Sequence, residues 1–346
     1  MSGMRVAVLG PGSIGLGSAA LLAMNGHRPL LWGRSLPAGP ATLEGTGAVT
    51  GRHAMETTPD IAAAIAGADA VLLTVPGFAH RAVLDAAAPH LRPGQPFVIS
   101  SHASFGGLYP ARRAPGVPVV AWGTTVVTGR RTGPLAVNAT NIRAKVDAAT
   151  LPSQWPEGVA LCTALFGDRF VPRDDLVAIA LSNLNPQNHL AMALCNLTRI
   201  ERAEAWRNYA GVTPAVGRLM QALDAERLAI AERFGTAVRT IIDHFHLSFD
   251  VPRGSVADMA ATVDARPGGP MGPTDLQSRY ITEDAPFGLA ATEMLGRVAR
   301  VPTPLHTAGI DLLNALLGRD FRAENDLLPA LGLDGLHAAA LRDAVA

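Results

Sequence analysis

The chain has 346 residues, 48% of them hydrophobic and 17% charged, enough to bury a large core and, on length, about two domains. Lys plus Arg and Asp plus Glu balance at 29 each, which excludes the basic field that a nucleic-acid backbone demands of its partner. Cys162 and Cys195 are the only cysteines and show no C-x-x-C or Cys/His spacing, so neither a disulfide framework nor a metal site is expected.

In chain order, the sequence enters MRVAVLG within three residues and carries no apolar run of membrane-spanning length, so a cytoplasmic protein without a membrane partner is expected. The runs RVAVLG (5–10), PLLWGR (29–34), AVLLTV (70–75), PFVIS (96–100) and VPVVAW (117–122) are nearly continuous in apolar residues. Strands covered on both faces require this, and they predict a parallel sheet. Between them, SIGLGSAALLAMNGH, DIAAAIAGA and HRAVLDAAAPHL carry Ala and Leu at helical spacing. The alternation predicts a doubly wound α/β domain of Rossmann type over residues 1–150. TTVVTGRRTGPLAVNATNIRAKVDAATL adds one or two strands at its end, before a loop at 152–157. From 151 to 346 the pattern changes. VGRLMQALDAERLAIAERFGTAV, EMLGRVAR and TAGIDLLNALLGRDF place apolar residues at i, i+3, i+4 and i+7, which predicts an all-α domain. Its helices are interrupted by VDARPGGPMGPTDLQSRYITEDAPFG, a Gly- and Pro-rich excursion long enough to suggest a functional role.

GPGSIG follows the first strand and opens a helix, the context in which G-x-G-x-x-G signals dinucleotide binding. Gly10 makes the tight turn, Gly12 lets the backbone approach a pyrophosphate, and Gly15 allows helix and strand to pack closely. The backbone at Ser13 and Ile14 then presents N–H groups and the positive end of the helix dipole to the anion. At the end of the second strand stand Arg34 and Ser35, where an NAD enzyme usually has an acid. A guanidinium and a hydroxyl suit a 2′-phosphate, so NADP(H) is the expected cofactor; an exposed arginine that admits NAD(H) as well is the alternative. FAD accepts the same fingerprint, but no second feature supports it. Val75 and Pro76 of TVPG end a strand at the carboxyl edge, where they would line the cofactor crevice.

A polar knot of Asn183, Asn185, Gln187, Asn188 and His189 opens an otherwise apolar helix. A hydride donor needs a partner that gives or takes a proton, and imidazole titrates near working pH. His189 is the candidate, with a neighbouring carboxylate expected to raise its pKa and fix its tautomer; the plain alternative is a hydrogen-bonded core histidine.

NLNPQNHLAMALCNLTRIE, the later R-Y-x-T-E-D-x-P-F-G followed by V-P-T-P, and the N-terminal fingerprint together resemble the octopine/nopaline (opine) dehydrogenase family over most of the chain. The resemblance implies a Rossmann domain joined to an all-α domain of the 6-phosphogluconate dehydrogenase C-terminal type, with a cleft between them. It further implies NAD(P)H-dependent reductive condensation of a keto acid or other carbonyl compound with an amino acid or amine. By the same resemblance His189 pairs with Asp284, and Thr124 and Thr125 lie on a strand that lines the substrate pocket; Asn185 and Tyr280 are further substrate-binding candidates. Arg279 either binds a carboxylate or balances Glu283 and Asp284. Leu190 stands where family members tend to have proline, and SSHASFGGLYPARRAPG departs from a common opine pattern. Helical domains of this sort often pair, so a homodimer is expected. Two further readings stay open. One is a ketopantoate-reductase-like NADPH carbonyl reductase, for which Lys145, the only lysine, is a poor catalytic candidate. The other is a non-catalytic NADPH-sensing protein.

Overall fold

The apolar runs near the N-terminus become the central strands of one sheet, because residues that must be buried on both faces have no other place. The computed structural model describes residues 3–153 and 155–346. Its strands are β1 (Arg5–Leu9), β2 (Arg28–Trp32), β3 (Gly39–Gly47), β4 (Gly51–Thr58), β5 (Ala70–Leu73), β6 (Phe97–Ile99), β7 (Val119–Trp122), β8 (Val127–Gly133), β9 (Ala136–Ile142), β10 (Val146–Leu151) and β11 (Phe170–Pro172). They lie in the order β11-β10-β7-β6-β5-β1-β2-β4-β3-β9-β8. β1 pairs in parallel with β2, Val6 opposite Pro29, and with β5, Ala7 opposite Val71. β6 and β7 continue the parallel run. The strand order therefore reverses at β1, which makes the carboxyl ends of β1 and β5 a topological switch point, the place where ligands bind on open α/β sheets. Helices α1 (Ser13–Met24), α2 (Ile61–Ala66), α3 (Gly77–Ala87), α4 (Leu108–Arg113) and α5 (Pro156–Phe166) accompany this sheet, and α6 (Leu176–Ser182) follows β11.

Two parts of the sheet differ from the expectation. β3 and β4 form an antiparallel hairpin that the apolar pattern does not reveal, since only alternate residues such as Leu43, His53 and Met55 turn inward. The segment expected to hold one or two further strands holds three, β8 to β10; the turn at Pro134–Leu135 separates β8 from β9, and both are largely solvent-facing.

One compact unit runs through Ala180 and includes Arg342–Ala346; the other spans Leu181–Leu341. The first extends past Leu151 because β11 pairs in parallel with β10 and α5 buries Cys162, Leu165 and Phe166 in the same core as Trp122. The second unit contains α7 (Asn185–Cys195), α8 (Leu197–Glu201), α9 (Pro214–Arg233), α10 (Ile241–Phe249), α11 (Val256–Asp264), α12 (Arg279–Thr282), α13 (Ala290–Ala299), α14 (Pro304–Leu317) and α15 (Leu327–Leu331), with α16 (Ala338–Val345) at the end of the chain. A π-helical turn, Ala285–Leu289, leads into α13. Leu190, Met220, Leu223, Ile281 and Phe321 belong to this unit's own core. Among the described residues, no helix is long and apolar enough to cross a membrane.

Candidate active site

β1 is followed by Gly10, whose φ of +123° suits glycine and whose N–H donates to the Trp32 carbonyl at 3.1 Å. A Cβ at Gly15 would stand 1.8 Å from the Gly10 carbonyl oxygen, so this close approach exists only without a side chain. Gly12 faces open space, with nothing within 4 Å of where its Cβ would be. It is also the N-cap of α1, which has no side-chain cap and no acidic residue in its first turn. The amides of Ser13, Ile14 and Gly15 and the positive end of the helix dipole are therefore left for an anion. The Ser13 hydroxyl accepts the Arg131 backbone N–H at 2.9 Å and ties α1 to β8, while its O–H keeps its donor capacity.

The Thr74 hydroxyl donates to the carbonyls of Leu9 and Gly10, at 3.0 and 3.1 Å, and so holds the end of β5 against the glycine turn. Val75 and Pro76 follow at that edge, where Pro76 begins α3 and the Val75 carbonyl accepts from His80 Nε2 at 3.0 Å. Arg34 and Ser35 lie just past β2, both exposed, and the guanidinium has no hydrogen bond or ion pair among the described residues. Thr124 and Thr125 are half-buried in the turn between β7 and β8.

Beside this edge lie two further imidazoles. His80 and His102 are buried, and burial pushes their pKa values down to about 4 and about 3. His102 sits in a loop that holds Ser101, Ser104 and Phe105 in the left-handed region, at φ of 68°, 45° and 57°. Both rings are neutral in the folded chain near pH 6, while the unfolded chain binds their protons from about pH 6.5 downward. Stability is thus complete above pH 6.5 and falls as the pH drops toward 4, by up to about 1.4 kcal/mol per pH unit for each ring. Thermal melts between pH 7 and pH 5 should follow this slope, and His102→Gln should flatten it.

In the second unit the excursion ending in RYITEDAPFG brings Asp284 to α7. Asp284 Oδ2 lies 2.6 Å from His189 Nδ1, and both residues are 8% exposed. Tyr280 stacks on the imidazole at 3.6 Å between centroids and 10° between planes, and its hydroxyl donates to Asn208 Oδ1 at 3.2 Å. One edge and one face of the ring are therefore fixed. Asn185 precedes His189 by one helical turn, half-buried on the same side of α7. The Arg279 guanidinium is exposed and makes no hydrogen bond or ion pair among the described residues. Burial outweighs Asp284, which raises the His189 pKa as a neighbouring carboxylate should. Burial lowers it most; Asp284 opposes that through charge and hydrogen bond, the Arg279 charge adds to the lowering, and the net direction is down. Among the described residues no group of three His, Cys, Asp or Glu side chains could hold a metal ion.

Two family descriptions match parts of the chain: NAD/NADP octopine/nopaline dehydrogenase, alpha-helical domain, over residues 172–317, and ketopantoate reductase over residues 6–152. The opine dehydrogenase of Arthrobacter sp. (strain 1C) is 33% identical, with 98% of each chain covered. The chain belongs to the opine dehydrogenase family. Like its relatives in that family, it is an NAD(P) oxidoreductase. Octopine dehydrogenase solved with NADH and L-arginine shares the fold at a TM-score of 0.79 and 19% identity, covering 98% of this chain and 97% of that one. Yersinopine dehydrogenase with NADP+ bound does so at 0.69 and 15%, covering 96% and 98%. In this opine dehydrogenase chain, Leu190 is fully buried and its Cδ2 would lie 2.4 Å from a Cβ on Gly309, so a glycine in α14 makes room for it.

Proposed function

We propose that the chain is an NADP(H)-dependent opine-type dehydrogenase or imine reductase, acting on the CH–NH bond that joins a carbonyl compound to an amino acid or amine. The observation that carries this reading is the buried His189–Asp284 pair. Nδ1–H donates to Asp284, which leaves Nε2 as the atom that exchanges a proton with substrate nitrogen. Asp284 orients the ring and stabilises its charged form, and Tyr280 limits its tilt. The unpaired Arg279 suits a substrate carboxylate, and Asn185 adds a polar group one turn from the imidazole. Thr124 and Thr125 are the substrate candidates of the sheet unit.

The glycine turn fits a dinucleotide, since space is open over Gly12 and closed at Gly10 and Gly15. Gly10, Gly12, Ser13, Ile14 and Gly15 would hold the pyrophosphate by their backbone, Arg34 and Ser35 the 2′-phosphate, and Val75 and Pro76 would line the crevice. When bound, the cofactor supplies hydride to the substrate carbon.

Two measurements test the reading. NADPH should bind about tenfold or more tightly than NADH, and Arg34→Ala should remove the difference, because a charge-assisted bidentate contact contributes roughly 1.5 to 3 kcal/mol. Fluorescence titration decides this, and equal affinities in the unaltered enzyme would remove the assignment. NADPH oxidation should also depend on an amine when keto acids or aldehydes are offered with amino acids or simple amines, and the product should carry the mass of a secondary amine. The match of residues 6–152 to ketopantoate reductase favours a carbonyl reductase as the second reading. Full-rate oxidation without amine, yielding an alcohol, would establish that reading instead.

A further inference from the structure

We propose that His306 and Glu226 are positioning residues for the reaction, acting through Gln187 on the helix that presents His189; this rests on the His189 reading above. α14 begins without help from its own sequence: Thr303 provides no side-chain cap and the first turn contains no acid. Glu226, on α9, supplies both from outside. Its Oε1 accepts the Leu305 N–H at 2.8 Å, and its Oε2 accepts the His306 N–H at 3.2 Å and the ring Nδ1–H at 2.6 Å. That last bond fixes the tautomer of a fully buried imidazole and leaves a lone pair on Nε2. The Gln187 amide donates to it at 3.1 Å, and lies 3.4 Å from Thr292 Oγ1.

Gln187 precedes His189 by two residues, so on a helix of 3.6 residues per turn the two side chains leave α7 on nearly opposite sides. A bond that holds one side chain sets the roll of the helix and hence the direction of the other. A roll of about 10° moves an imidazole tip by on the order of 1 Å, and a misplacement of that size can cost about 100-fold in rate. Packing on either side leaves little slack. A Cβ at Gly309 would meet Leu190 at 2.4 Å, and one at Gly288 would meet Pro186 at 2.4 Å, so α7 touches the backbone of its neighbours at both points. The polar tie on this side of α7, opposite the His189–Asp284 bond, then selects one roll of the helix.

Gln187→Leu and His306→Leu remove the tie and keep the volume apolar, whereas His306→Gln retains an acceptor for Gln187. The expected result is a 10- to 100-fold lower kcat in both leucine variants, with KM and NADPH affinity within about twofold and most of kcat restored in His306→Gln. NMR titration of the labelled His189 ring should show its pKa displaced in Gln187→Leu, and the kcat–pH profile should move with it. Gln187→Met serves where a leucine variant fails to fold. Leucine variants that melt lower but keep the unaltered kcat and His189 titration would overturn the inference, because the network would then serve only to satisfy buried polar groups. Near-normal turnover in His189→Ala would sink both readings; loss there with unchanged Gln187→Leu and His306→Leu would sink this one alone.

Discussion

Replacing His189 by Ala is expected to lower turnover by about 10²- to 10⁴-fold while NADPH affinity stays nearly unchanged, the loss that accompanies removal of a general acid. The glycine fingerprint belongs to the unit that runs through Ala180, whereas His189 belongs to the unit beginning at Leu181, so the two functions are separable by substitution. Asp284→Asn should be milder, because the ring keeps its Tyr280 stack but loses the anion that favours imidazolium. The pH dependence follows with a definite sign. With His189 in the proposed role, reduction should require the protonated ring and slow as the pH rises through its pKa, and oxidation should require the neutral ring and rise over the same range. Burial already holds that pKa below the usual histidine value, with Asp284 pulling the other way. Removing the carboxylate should therefore shift the reductive limb to still lower pH. Profiles of kcat/KM for the unaltered enzyme and Asp284→Asn check this, and a His189→Ala enzyme with near-normal turnover would make the imidazole a core residue.

The features legible in the sequence are those with a local cause. Runs such as VAVL and VLL could be read as central strands because burial on both faces leaves no room for polar residues, and all of Val6–Leu9 and Val71–Leu73 are indeed buried. The β3–β4 hairpin escaped because one face of each strand meets solvent and glycines interrupt the alternation. The fingerprint was legible as backbone chemistry, since its requirements at Gly10 and Gly15 are steric. His189 and Asp284 are 95 residues apart, and no periodicity joins them; the R-Y-x-T-E-D motif did so by resemblance. The size of the burial that outweighs Asp284 at His189 was not legible for a related reason. A knot of amides reads as solvated, yet Gln187 is 1% exposed and His189 8%, and desolvation depends on the fold around them. Glu226 and His306 carried no signal, because a cap supplied by a different helix leaves no trace in the capped helix's own sequence.

Arg227→Ala is expected to destabilise the helical unit by about 3 to 5 kcal/mol, the cost of leaving one member of a buried ion pair alone. The guanidinium is fully buried in α9 and meets Asp224 Oδ1 through Nε at 2.9 Å and through a terminal nitrogen at 2.6 Å. It also donates to the carbonyls of Leu181 and Arg239, while Asp224 Oδ2 accepts the Ile241 N–H at 2.8 Å. Three backbone groups, from α6, the residue Arg239 before α10 and the first residue of α10, thus close on one charge pair. Without Arg227, Asp224 keeps one backbone donor, the buried Leu181 carbonyl loses its partner, and the half-buried Arg239 carbonyl loses that donor as well. Calorimetry should record a fall in Tm on the order of 10 °C. Leu181 lies four residues before Asn185, so the segment leading to His189 should loosen as well, and kcat should fall at temperatures where the variant is still folded. The paired replacement Asp224→Leu with Arg227→Met should recover most of the Tm, since apolar groups of similar volume satisfy the site without a charge to bury. If that double variant regains Tm but not kcat, the Arg227–Leu181 bond orients α7. If it regains both, the pair's role is confined to keeping its own charges satisfied, and an Arg227→Ala enzyme that melts with the unaltered one would show that the pair contributes no stability at all.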